Sequence, residues 1–114
     1  YYLFYSANHF MCRDYAVGYA VADSPLGPWK KPNDNRIIHR STVDENGSGH
    51  GDVFDDSKGN IFYVYHVHHS DHAVSPRLTR IVPLHFVPSA DGFDRVEVKR
   101  EEVIVPIVKT DGKK

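Results

Sequence analysis

The sequence predicts an all-β fold, and three observations carry that expectation. No segment spaces apolar residues at three and four positions over a dozen residues, so little or no helix is expected. Runs rich in Tyr, Phe, Val and Ile recur along the chain, and these residue types suit the pleated, half-buried surface of a strand. Turn-forming residues separate the runs about every ten positions, the spacing expected of a sandwich, barrel or propeller.

Taken in order, residues 1–6 form a short aromatic strand and residues 15–22 a second, mostly apolar one. Ser24-Pro25-Leu26-Gly27-Pro28-Trp29 is a turn, because two prolines and a glycine exclude both helix and central strand. Residues 36–39 make a short strand. Residues 43–51 are polar and glycine-rich and read as a loop. Residues 52–55 begin a further strand that turns tightly at Asp56-Ser57-Lys58-Gly59-Asn60. Residues 61–68 carry the strongest strand signal, residues 70–76 a loop, and residues 77–87 a long strand interrupted only by Pro83. Asp91-Gly92 marks a turn, and residues 96–98 and 103–108 close the chain.

The bulk numbers narrow the function classes. A chain of 114 residues holds one small domain. Its 14 Lys and Arg against 15 Asp and Glu give no reason to expect nucleic acid or an anionic membrane as partner. Cys12 is alone and makes no disulfide within the chain. No apolar run approaches the ~20 residues of a membrane span, no signal peptide is visible, and the sequence leaves localisation open. The chain opens without Met inside the run Tyr1-Tyr2-Leu3-Phe4-Tyr5. Domain boundaries fall in polar linkers rather than in strands, so position 1 is expected to be a truncation point.

Four local patterns occur in order. Tyr1-Tyr2-Leu3-Phe4-Tyr5-Ser6 is followed by Val17-Gly18-Tyr19-Ala20 and Asp23-Ser24-Pro25-Leu26-Gly27-Pro28-Trp29. Then come Gly47-Ser48-Gly49-His50-Gly51-Asp52-Val53-Phe54, Phe62-Tyr63-Val64-Tyr65-His66-Val67-His68, and Arg77-Leu78-Thr79-Arg80-Ile81-Val82-Pro83-Leu84-His85-Phe86. Together they resemble the C-terminal part of glycoside hydrolase family 43, over residues 1 to about 88. The resemblance implies the last two blades of a five-bladed β-propeller. Residues 1–40 would form a blade lacking its first strand, residues 41–90 the final blade, and residues 91–114 a closing tail. It also implies an inverting glycosidase acting on xylan- or arabinan-type chains, with a general acid and a general base about 6.5–9.5 Å apart and a third carboxylate. All three are expected upstream of Tyr1, so this chain by itself is expected to be inactive.

Among its own residues, the resemblance marks His50 and Arg77. His50 would point into the propeller axis, near a structural calcium ion, while Gly47, Gly49 and Gly51 let the backbone approach other groups closely. A lone His in a glycine loop reads equally as structural, since calcium prefers several oxygen ligands. Arg77 would reach the substrate, a xylo- or arabino-oligosaccharide, because its planar fork can hold two sugar hydroxyls; the plainer reading is a surface arginine at a strand start. Arg80 should face the other side of the strand and serve inter-blade or surface pairing. His66, His68, His69 and His72 invite a zinc reading, but only Asp71 is adjacent, and His66 fits better as a residue packed near the axis. Asp55 and Asp56 read as solvated hairpin residues, and Asp52 as near the axis. Cys12 and the loop around it, Asn8 to Asp14, should line or flank the cleft. Trp29 and the tyrosines serve sugar stacking or blade packing. Two alternatives remain open: a non-catalytic carbohydrate-binding β module, and a partial propeller that needs a partner, either the missing N-terminal blades or a second copy joined through open blade faces.

Overall fold

The computed structural model describes residues 1–33 and 35–109. Within them, strands dominate, in two antiparallel sheets. β1 (Tyr2–Ala7) pairs with β2 (Ala16–Val21). β3 (Gly49–Asp55), β4 (Ile61–Val67), β5 (Leu78–Val87) and β6 (Arg95–Glu97) form the second sheet, in that order. Helix is confined to a single turn, α1 (Arg40–Val43), and a 3-10 turn at Arg100–Glu102. No helix among the described residues is long and apolar enough to cross a membrane.

The core lies between the sheets and follows from strand alternation. Tyr63, Tyr65 and Val67 on β4 point inward, as do Val82 and Leu84 on β5 and Val17 and Tyr19 on β2. Tyr19, Tyr63 and Tyr65 thus serve core packing. Tyr19 keeps a polar role as well, its hydroxyl accepting the Val96 N–H of β6. Burial and the nearby Asp52 carboxylate push the Tyr63 phenol up to about 12. Burial likewise pushes Tyr65 up, Glu45 adding to this and Arg80 opposing it.

Pro83 sits inside β5 without breaking it. Ile81 exchanges both backbone bonds with Ile104 on the outer side of β5. Every second residue faces that side, so Pro83 lacks an N–H only where no ladder partner stands. It lies between the Ile81–Ile104 bridge and the β6 pairing, which spans residues 85–87.

Three expectations change at the level of single elements. Residues 36–39 form no strand but an isolated bridge from Ile38 to Val17. The loop expected over residues 43–51 is shorter at both ends. His39 caps α1, its Nδ1 accepting the Ser41 N–H while Thr42 Oγ1 accepts the His39 N–H, and β3 already begins at Gly49. These contacts depend on side chains two and three residues away, which a periodicity search does not weigh. The strand expected at residues 96–98 is present as β6, which extends the last sheet. Residues 103–108 add only the single Ile104 bridge, not a strand.

Candidate functional site

Three connections meet at one end of the sheets: the β1–β2 loop, the segment leading into β3, and the β4–β5 loop. They are tied to one another by hydrogen bonds. Arg13 accepts the Gly47 N–H at its carbonyl (3.0 Å) and donates from Nη2 to the Asp71 carbonyl (3.1 Å). Asn46 donates from Nδ2 to Asp71 Oδ1 (2.9 Å) and accepts the His68 N–H (2.9 Å). His68 Nε2 meets the Phe10 carbonyl at 3.1 Å. Gly47 makes this possible: it holds φ +66, and a Cβ there would run into the His68 ring.

His50 and Arg77 both lie at this end, and the charges of both act on His66. His50 adopts φ +53, a left-handed conformation that costs a non-glycine residue roughly 1–2 kcal/mol. Its N–H donates to Ser6 Oγ on β1 (2.8 Å), which joins the two sheets. The pairing of β3 with β4 shifts register between Gly49 and Asp52, and the resulting bulge re-aims this residue. The His50 ring sits 5.7 Å from that of His66, centroid to centroid. Burial first, then the charges of His50 and Arg77, hold the His66 imidazole below its ordinary pKa. His50, Asp52, Tyr65 and His66 line a concavity of about 360 Å³.

Arg77 is half-buried, with its guanidinium over the Phe10 ring at 5.1 Å. Its Nε is buried without a hydrogen-bond partner, and the side chain pairs with no carboxylate among the described residues. Arg80 is the opposite case. Its Nε and Nη2 clasp Glu45 at 3.0–3.2 Å, with the arginine side chain 14% exposed. The two arginines, three residues apart, thus divide into one that is structurally committed and one whose donors are unclaimed. The larger concavity nearby, about 610 Å³, is lined by groups already paired with each other: Arg80 with Glu45, and Asn46 with Asp71.

A partly buried pair costs more to break than an exposed one. Glu45→Ala should therefore lower stability by about 2 kcal/mol, as measured by urea denaturation. Asp91→Ala, which removes an exposed partner of Arg95 four residues away, should cost under about 0.5 kcal/mol. Equal effects would show that burial of the Glu45 pair adds nothing.

The remaining candidates are placed as follows. His68 and His69 spend a ring nitrogen each on the Phe10 and Pro76 carbonyls. No group of three or more His, Cys, Asp or Glu able to hold a metal is found among the described residues. His50 offers one nitrogen, whereas calcium takes six to eight oxygens, so His50 alone does not make up a calcium shell. Asp52 Oδ1 accepts its neighbour's N–H, and Asp56 organises the β3–β4 hairpin through Lys58 and Asn60. Cys12 is exposed in the β1–β2 loop, and Trp29 packs over Gly27 in its turn. Sequence reasoning placed the loop of residues 8–14 at the cleft but did not single out Phe10 within it. Its signal was an aromatic ring set in a polar loop between two strands.

Two antiparallel sheets joined by loops at one end, with a histidine pair and an unclaimed arginine there, can be compared with known proteins. The profile described as Glycosyl hydrolases family 43 matches residues 1–93. The chain belongs to glycosyl hydrolase family 43. Solved structures that align with this family-43 chain include the following two. One is an endo-1,4-β-xylanase from Bacteroides thetaiotaomicron, at 35% identity and TM-score 0.78, covering 93% of this chain and 35% of that one. The other is a thermostable family-43 glycoside hydrolase, at 38% identity and TM-score 0.73, covering 87% of this chain and 31% of that one. No curated protein matches. The chain therefore spans about a third of the length of either solved structure. Its two antiparallel sheets match part of the β-propeller fold of these family-43 structures.

Proposed function

We propose that this chain forms the C-terminal blades of an inverting glycosidase that hydrolyses xylan- or arabinan-type chains, with Arg77 holding the sugar at the cleavage site. The observation that carries this reading is the unclaimed guanidinium of Arg77. It stands at the loop end beside His66 and His50, and its donor fork is the right shape for two sugar hydroxyls. The xylanase neighbour supports a xylan-type substrate at 35% identity.

In this reading, the chain's residues bind and orient the sugar. Arg77 fixes hydroxyls, while His66, whose pKa burial lowers, offers a ring nitrogen for hydrogen bonding. Proton transfer to the leaving oxygen and activation of water belong to carboxyl groups supplied by other blades. Inversion requires those carboxyls to flank a water molecule.

The test compares two proteins on nitrophenyl β-xyloside and α-arabinofuranoside. The enzyme carrying this chain should release nitrophenol, and residues 1–114 alone should not. Turnover by the 114-residue chain would show that it holds its own acid and base.

A further inference from the structure

Phe10 is 48% exposed and stands outside the buried core, so core packing does not account for it. Its ring is nevertheless held in place. The Phe10 carbonyl meets His68 Nε2, and the loop around it is closed by Asn8 Nδ2 donating to the Asp14 carbonyl (2.8 Å) and by the Cys12 N–H donating to the His9 carbonyl (2.8 Å). The His9 ring stacks on it at 4.7 Å. Against this fixed ring lies the Arg77 guanidinium, centred 5.1 Å away.

An arginine without a carboxylate partner has many rotamers open to it, and binding a sugar would require it to settle into one. A flat aromatic face restricts that choice, because the planar guanidinium stacks on it. We infer that Phe10 is a positioning residue that holds the Arg77 fork in its sugar-binding orientation, across the gap between the two sheets. The inference rests on the sugar-binding reading of Arg77. It adds that the orientation is set from the neighbouring blade, through a loop anchored by His68.

The experiment uses the enzyme carrying this chain, labelled with isotopic arginine, and follows the Arg77 Nε–H resonance, assigned by its loss in Arg77→Lys. The ring should shift that resonance in the wild type, and xylobiose or arabinobiose should move it further. In Phe10→Leu the ring shift should vanish and the sugar should bind about fivefold more weakly, with kcat little changed and KM raised. Phe10→Tyr keeps the ring and should restore both signals. Because Phe10 is half exposed, Phe10→Leu should fold; if it does not, Phe10→Met replaces it and is read the same way. Unchanged sugar affinity in a folded variant without the ring would overturn the positioning role. If neither sugar moves the resonance in the wild type, the sugar-binding reading itself falls and this inference falls with it, whatever the ring shift shows.

Discussion

Arg77→Ala in the enzyme carrying this chain is expected to reduce kcat/KM on a xylo- or arabino-oligosaccharide by about two orders of magnitude, with the unfolding midpoint almost unchanged. Hydrogen bonds from a charged donor contribute roughly 1.5–3 kcal/mol each, and each 1.4 kcal/mol is about tenfold. The near-silence in stability follows from the same geometry. Arg77 pairs with no carboxylate among the described residues, so removing it orphans no buried charge. Arg77→Lys keeps the charge but loses the planar fork, and should retain only about a tenth of the activity. Arg80→Ala should give the reverse pattern, because it strands the half-buried Glu45 and touches the site only indirectly. Steady-state kinetics together with urea denaturation on the three variants decide the matter. An Arg77→Ala enzyme with wild-type kcat/KM would remove Arg77 from the sugar site.

Gly51→Ala is expected to lower stability by about 3 kcal/mol or more, among the largest effects of any single methyl group in the chain. A Cβ at Gly51 would collide with the Val64 carbonyl oxygen, and next with the Tyr63 ring. The first obstacle is backbone in β4 and cannot rotate away, so β3 must lift off its partner strand. That would undo the bulge between Gly49 and Asp52 and with it the placement of His50. At roughly 4–8 °C per kcal/mol for a domain of this size, calorimetry should record a loss of well over 10 °C. Gly59→Ala is the control. Gly59 sits at φ +92 with nothing within 4 Å of an added Cβ, so only the backbone penalty of about 1–2 kcal/mol applies. If Gly51→Ala were no worse than Gly59→Ala, the steric account of this glycine would be wrong.

These two residues also mark where local sequence stops being informative. The glycines flanking His50 announce a close backbone approach, and the folded chain supplies the atoms approached. Arg77 stands out by its place in a family pattern. What it lacks, a carboxylate partner, and what it gains, the Phe10 ring, cannot be read from residues 67 positions apart in the chain. The Arg80–Glu45 pair spans 35 positions, and the sequence indicates only that Arg80 pairs with something.

By itself, the sequence located all six strands in order, because aromatic and β-branched alternation is a local property that each strand carries within its own residues, but it also read residues 36–39 and 103–108 as strands where only single bridges form. It also carried the family, through ordered patterns over most of the chain, now matched over residues 1–93. Tertiary structure alone decided how the strands become a site. It chose which arginine stays unclaimed, set His66 beside His50, turned residues 40–43 into a helical stop before β3, and paired β6 with β5. The physical reason is common to all four. Each depends on contacts between groups far apart in sequence or on short polar caps, and such contacts exist only once the chain has paid the entropy of bringing its loops together.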